Sequence, residues 1–234
     1  MKPSRPARTP SAAAHADKRR ILLVDDHPFM RAGLAQLIDR QPDLRVVGEA
    51  GDPAEAMQKI AQTDPDLVLS DITMPGRSGL DFIKDLQALH PRLPILVVSM
   101  HDEMIYAERV LRAGARGYIM KEAGGENLLA AIRQVLRGEP FVSARVSAGL
   151  VEAATGRRPR GANSPIAKLS DREFEIFQLI GQGKTTRAIA GQLGLSSKTV
   201  DVHRANIKTK LGLGDVTALV RHAVRWVETQ SLDL

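Results

Sequence analysis

Cysteine is absent from the 234 residues. That excludes a disulfide framework, a thiolate metal site and a cysteine nucleophile, and it suits a reducing compartment, with the cytoplasm as the default expectation. No apolar run approaches the roughly 20 residues needed to cross a bilayer, so a soluble chain with no membrane partner is expected. Acidic residues are nearly missing from the first stretch, where only Asp17 opposes Lys2, Arg5, Arg8, Lys18, Arg19 and Arg20 among Pro, Ser and Ala. Lacking an apolar core of signal-peptide length, residues 1-19 read as a disordered basic extension.

What is present is unevenly distributed. The net charge of +6 divides into +5 over residues 1–20, −5 over 21–143 and +6 over 144–234. An acidic middle and a basic end point to different partners, the basic end to phosphate backbones. The length suits a domain of about 100 to 150 residues plus a smaller one.

Residues 20-140 alternate apolar runs with amphipathic stretches, the rhythm of an α/β doubly wound parallel sheet with helices on both faces. The runs are Ile21-Val24, Leu44-Gly48, Leu67-Ser70, Ile95-Ser99 and Gly117-Met120, with helical spacing over Pro28-Arg40, Pro53-Gln62, Gly79-His90, Glu103-Ala113 and Glu126-Arg137. In such a sheet the functional groups gather beyond the carboxyl ends of the strands. The residues closing these strands are Asp25 and Asp26, Asp71, Ser99 and Lys121. The run Asp66-Leu67-Val68-Leu69-Ser70-Asp71 breaks on Pro75-Gly76, which predicts a buried strand that presents Asp71 at a turn. Taken singly, each aspartate is more simply a helix N-cap, Ser99 a strand end, Tyr118 a half-buried aromatic and Lys121 a solvated turn residue. Their joint placement at one sheet edge favours a site. Three clustered carboxylates repel one another and raise each other's pKa unless a cation joins them, and Mg²⁺ is the usual choice where phosphate is handled.

Val24-Asp25-Asp26-His27, Asp71 with Met74-Pro75-Gly76, Ser99 and Tyr118-Ile119-Met120-Lys121 resemble a response-regulator receiver domain over about 120 residues. The resemblance implies a flavodoxin-like five-stranded sheet. It implies that Asp71 accepts a phosphoryl group from a sensor histidine kinase, with Asp26 binding Mg²⁺ directly, Asp25 largely through water and Thr73 by its backbone carbonyl. Lys121 is then the partner of the phosphoryl oxygens, and Ser99 swings to the phosphate and draws Tyr118 inward. Glu122 stands where many receivers have Pro, so the cis peptide common there is not expected.

Residues 141-166, rich in Gly, Pro and Arg from Ala153 to Pro165, read as an interdomain linker whose arginines are chiefly solubilising. In 167-234, Ser170 with Glu173 is a capping-box signal. A helix through Gln182 follows, then one from Thr185 or Thr186, then Ser197 to Leu211, then Val216-Glu228 capped by Asp215. Two short helices joined by the turn Gly194-Leu195-Ser196 make a small all-α helix-turn-helix domain. Lys198, Arg204, Lys208 and Lys210 supply a basic exposed surface.

Leu169 through Glu173, Gly183-Lys184, Ile189-Ala190, Leu195-Ser196-Ser197-Lys198-Thr199-Val200, Val202-His203-Arg204 and Asn206-Ile207 resemble the LuxR/NarL-type DNA-binding domain. The whole chain therefore resembles a NarL/FixJ-type response regulator. Carried over by position, Lys198, Asp201, Val202 and Ala205 face the major groove of double-stranded DNA, with Thr199, His203, Arg204 and Lys208 toward the backbone. Relatives often have Lys at the places of Asp201 and Ala205. A homodimer is expected in the phosphorylated or DNA-bound form. Because receiver chemistry is a self-modification, the chain is not read as an enzyme. Two other readings stand beside this one. A constitutive DNA-binding protein with the receiver as a platform has no need of clustered carboxylates, and an enzyme acting on a small phosphorylated metabolite lacks an accompanying pocket motif.

Overall fold

The computed structural model describes residues 18–74, 78–155 and 165–232. Residues 1–17, the turn residues Pro75 and Gly76, and the linker arginines Arg157, Arg158 and Arg160 lie outside the described residues.

Five parallel strands, β1 (Arg19–Val24), β2 (Leu44–Ala50), β3 (Leu67–Ser70), β4 (Ile95–Ser99) and β5 (Gly117–Met120), form one sheet in the order β2-β1-β3-β4-β5. Helices α1 (Pro28–Asp39), α2 (Pro53–Thr63), α3 (Gly79–Leu89), α4 (Glu103–Ala113) and α5 (Gly125–Leu136) connect and cover them. This is the doubly wound order in which β1 and β3 flank the switch point, so the groups closing them meet in one crevice. The first strand starts before Ile21. Arg19 pairs with Leu44, and Lys18 Nζ donates to the Gln41 carbonyl at 2.8 Å, so the end of the expected basic extension is part of the sheet.

Both faces of the sheet are apolar, and the strand period of two sorts them. Ile21, Leu23, Leu67, Leu69, Leu96, Val98 and Ile119 pack with Ile38 of α1 and Ile132 of α5. Leu22, Val24, Val68, Val97 and Tyr118 pack on the other side with Ile60, Ile83, Leu86 and Val110. At roughly 1.5–3 kcal/mol per fully buried aliphatic side chain, these layers hold the strands in register. Helix starts are fixed by side chains. Asp52 Oδ1 accepts from Glu55 N at 2.9 Å, and Asp102 Oδ1 accepts from Met104 N at 2.9 Å.

The segment read as a linker contains a helix, α6 (Ala144–Ala154). Phe141 first bridges to β5, its carbonyl accepting from Tyr118 N at 2.9 Å. Ser143 Oγ then donates to Glu103 Oε1 at 2.7 Å and accepts from Val146 N at 3.1 Å, tying the start of α6 to α4. Val146 and Leu150 keep helical spacing, but the run is short and leads straight into the stretch rich in Gly, Pro and Arg, and the sequence reading placed no helix there.

The last unit holds α7 (Asp171–Gly181), α8 (Thr186–Leu193), α9 (Ser197–Leu211) and α10 (Val216–Leu232) around Phe174, Phe177, Ile189, Val200, Ile207 and Leu219. The capping box at Ser170 and Glu173 forms in both directions. Gly181, the last residue of α7, lies against α10. A Cβ there would meet the Ala223 carbonyl oxygen and Val227 Cγ2, each at 2.5 Å.

Candidate functional site

At the carboxyl edge of the sheet, Asp25, Asp26, His27 and Asp71 bring one ligand atom each within 4.8 Å of one another. Asp25 and Asp71 follow β1 and β3, which pair directly, so the sheet register itself sets the two carboxylates side by side. Asp71 N donates to the Val24 carbonyl at 2.8 Å and extends that pairing by one residue. Lys121, just after β5, reaches across. Its Nζ lies 2.6 Å from Asp25 Oδ2 and 2.7 Å from Asp71 Oδ2, with all three side chains buried. The sequence reading of Lys121 as a possible solvated turn residue is thereby removed. The peptide after Lys121 is trans.

The two aspartates are held differently from N-caps. Asp71 Oδ1 accepts from Ile72 N at 2.6 Å and Thr73 N at 3.1 Å, in the turn after β3. Asp25 Oδ1 accepts from His27 N at 2.8 Å, while α1 begins without a side-chain cap. Burial pushes the Asp71 carboxyl above its ordinary range, with Lys121 pulling against it. Burial likewise disfavours the Lys121 ammonium, but Asp71 and Asp25 outweigh it and hold its pKa above the usual value. The site is thus one cation short of balanced, with a single ammonium facing three carboxylates.

Asp26 Oδ1 is buried without a hydrogen-bond partner, although His27 Nδ1 stands 2.9 Å away out of bonding alignment. An orphaned carboxylate oxygen beside Asp25 and Asp71 is what a hard divalent cation with oxygen ligands would satisfy, so these residues fit Mg²⁺. His27 shares the cluster. Its place directly after the acidic pair was the signal in the sequence, and it drew no assignment there.

Ser99 and Tyr118 carry a difference from expectation. Ser99 is fully buried and its Oγ accepts from His101 N at 3.3 Å. Tyr118 is already inside, 1% exposed, its hydroxyl donating to the His101 carbonyl at 2.7 Å. No inward swing of Tyr118 is left to occur from this arrangement. His101, which the sequence did not single out, also hydrogen-bonds Thr73 Oγ1 through Nε2 at 2.6 Å and stacks on Tyr106 at 4.7 Å and 15°. Burial, reinforced by Lys121, holds its pKa below the usual imidazole range.

Tyr106 continues to the last unit. Its hydroxyl is hydrogen-bonded by Gln178 Nε2 of α7, and its ring meets Phe174 edge-on at 5.1 Å. Arg109 lies 4.6 Å over the Phe174 ring and pairs with Asp171 at 3.2 Å, and Lys84 pairs with Asp171 at 2.9 Å. Ser78 Oγ donates to Glu175 Oε1. A cavity of about 480 Å³ opens between Asp26, Thr73 and Ser78 on one side and Glu175, Gln178 and Lys184 on the other.

On α9, Lys198, Asp201, Val202 and Ala205 are exposed together, while Thr199, His203, Arg204 and Lys208 are half-buried. Two of the expected basic surface residues are engaged within the domain. Arg204 Nη1 donates to Thr186 Oγ1 at 2.5 Å, and Lys210 Nζ pairs with the buried Glu173 at 2.6 Å. His203 Nδ1 is buried without a hydrogen-bond partner, so this edge of the ring faces the domain. Among the described residues no helix is long and apolar enough to cross a membrane.

Comparison with known proteins matches residues 21–133 to the response regulator receiver domain and residues 167–223 to the bacterial regulatory proteins of the luxR family. The oxygen regulatory protein NreC of Staphylococcus carnosus (strain TM300) is 38% identical over 88% of this chain and 97% of its own length. NreC of Staphylococcus aureus (strain JH9) is 40% identical with the same coverage. Among solved structures, RcsB from Salmonella enterica serovar Typhimurium, bound to promoter P1flhDC in the presence of phosphomimetic BeF3-, superposes with a TM-score of 0.70 at 25% identity. That match covers 88% of this chain and 98% of the other.

Proposed function

The chain belongs to the DNA-binding response regulators of two-component systems that join a receiver to a LuxR-type helix-turn-helix, and from that premise we propose that Asp71 is its phosphoryl acceptor. The observation that carries this is the clustering of buried Asp25 and Asp71 with half-buried Asp26, the first two bridged by Lys121 at 2.6 and 2.7 Å.

An Asp71 carboxylate oxygen attacks the phosphorus of a kinase phosphohistidine. The P–N bond breaks, and the imidazole nitrogen leaves with the electron pair and takes up a proton. Lys121 follows the charge from the carboxylate to the phosphoryl oxygens, a short move for an ammonium already shared between two acids. The Ser99 hydroxyl turns from His101 N to the new phosphate. Asp25, Asp26, Asp71 and the Thr73 carbonyl would hold Mg²⁺, which when bound supplies charge neutralisation for the approaching phosphoryl oxygens.

The division we adopt is a basic extension to residue 18, a receiver through 140, a connecting segment 141–166 that includes α6, and the helix-turn-helix from 167. Lys198, Asp201, Val202 and Ala205 face the major groove of double-stranded DNA; Thr199, His203, Arg204 and Lys208 lie toward the sugar–phosphate backbone. The exposed side chains on α9 support the first set better than the second, since Arg204 is engaged by Thr186. The partners are a sensor histidine kinase, DNA and a second copy of the chain, in the cytoplasm. The chain modifies itself and turns over no metabolite.

Asp71→Asn is expected to abolish labelling by a phosphorylated kinase or by acetyl phosphate with Mg²⁺. Labelling at the wild-type level in that variant overturns the assignment. DNA affinity measured with and without phosphorylation separates this reading from a receiver serving only as a dimerisation platform, for which the two affinities are equal.

A further inference from the structure

Between the acidic site and α7 there is a continuous set of contacts that runs through His101 and Tyr106. His101 makes four contacts with four different residues. Its N–H donates to Ser99 Oγ (3.3 Å), its carbonyl accepts from Tyr118 (2.7 Å), its Nε2 bonds Thr73 Oγ1 (2.6 Å), and its ring stacks on Tyr106 (4.7 Å). Thr73 N is in turn bound to Asp71 Oδ1 at 3.1 Å. Beyond the stack, the Tyr106 hydroxyl is held by Gln178 and its ring by Phe174, both on α7. Phe174 passes the packing to Trp226 on α10 at 5.5 Å.

We infer that His101 is a positioning residue that couples the state of Asp71 to the docking of α7 on the receiver, acting through its stack on Tyr106. This rests on the reading of Asp71 as the phosphoryl acceptor and names the route by which its state is passed on. The physical basis is competition for shared groups. A phosphoryl group on Asp71 takes the Ser99 hydroxyl, which removes the acceptor of the His101 N–H, and it displaces the turn that carries Thr73, which removes the partner of the ring. A ring released from both sides no longer holds its place over Tyr106, and the Tyr106 hydroxyl and ring are what Gln178 and Phe174 grip. Coupling between two sites is reciprocal in binding free energy. If phosphorylation loosens α7, then loosening α7 favours phosphorylation, even when the change lies in the other domain and touches nothing near Asp71.

That reciprocity gives the test in the full-length chain. Affinity for the phosphoryl mimic BeF3⁻ with Mg²⁺ is measured by titration, labelling of Asp71 by acetyl phosphate is checked on a phosphate-affinity gel, and docking is measured by hydrogen–deuterium exchange of the α7 amides. The variants are Gln178→Ala, Tyr106→Phe, which keeps the ring and removes the hydroxyl, His101→Ala, and the pair His101→Ala with Gln178→Ala. Each single variant is expected to speed α7 exchange and to tighten BeF3⁻ binding roughly five-fold or more, the lower end of common coupling strengths. The pair is expected to add little to either single change, because both cut one route. The coupling is overturned if Gln178→Ala frees α7 while BeF3⁻ affinity stays within about two-fold of wild type. It is overturned equally if α7 exchange does not respond, or if the two changes simply multiply. A wild-type chain that labels at Asp71 while every variant matches wild type in BeF3⁻ affinity and α7 exchange sinks the coupling alone. A wild-type chain that does not label at all sinks the acceptor assignment as well.

Discussion

Lys121 sets the electrostatic character of the site. It is the single ammonium among Asp25, Asp26 and Asp71, and it is bonded to two of them. Removing it leaves buried carboxylates unpaired, a loss of about 3–5 kcal/mol in comparable pairs. Lys121→Met keeps most of the volume and discards the charge. Its urea midpoint is expected to fall sharply in EDTA and to recover in part with millimolar Mg²⁺, because a ligand bound only by the folded state stabilises it. An equal loss in both conditions would show that the acids do not hold the cation. At this scale the sequence was informative where chain order alone decides placement. Strand ends converge in a doubly wound sheet, so Asp25, Asp71, Ser99 and Lys121 could be named from spacing. It was uninformative about long-range partners. Lys210 and Arg204 read as free basic residues because Glu173 and Thr186 lie 37 and 18 residues away along the chain. Tyr118 read on its own as a half-buried aromatic, its inward movement coming from the resemblance, because its acceptor is a backbone carbonyl, which leaves no mark in a sequence.

Helices and strands were legible wherever periodicity ran unbroken. β4, β5 and α9 have the expected bounds, and the capping residues at Ser170, Thr185 and Asp215 act as expected. Where small residues intervene, the meaning of a position depends on its neighbour. Gly181 and Gly191 are both helical glycines of the last unit, yet Gly181 touches the α10 backbone and Gly191 has nothing within 4 Å. Alanine in an exposed helix interior gains about 0.5–1 kcal/mol over glycine, whereas overpacking costs about 1–3 kcal/mol. Gly191→Ala should therefore raise the melting temperature and Gly181→Ala lower it, by thermal denaturation followed by circular dichroism. Parallel shifts in the two variants would contradict the close approach of α7 and α10.

The whole molecule is held in its docked arrangement partly by a carboxylate under stress. Glu175 lies on α7 facing Ser78 and Asp81 of α3, with Arg172 at 2.9 Å beside it and Lys84 nearby. Burial, helped by Asp81, pushes it up to about 7 from an ordinary 4.5, against the pull of Arg172. The docked state thus keeps a proton that an undocked Glu175 gives up. Its contribution to docking is complete below pH 4.5 and is lost as the pH rises through about 7. After correction for intrinsic rates, α7 amides should exchange more slowly near about pH 5.5 than near about pH 8, and Glu175→Gln should remove the difference. The same pH dependence in the glutamine variant would assign it to another group. Nothing in the sequence pointed to this contact, since the pairing of α7 with α3 and α4 joins residues whose local patterns each look complete.

Docking covers α7 but leaves the α9 side chains Lys198, Asp201, Val202 and Ala205 open to solvent. The DNA contact proposed for α9 is thus open in the docked arrangement, and what docking fixes is the distance and angle of α9 from the receiver. In the proposed pair of chains, the docked arrangement would work as a calliper set to one gap between half-sites. Since helix-turn-helix dimers require half-sites about 34 Å apart or a multiple of it, opening the calliper changes which spacings of operator the pair can span.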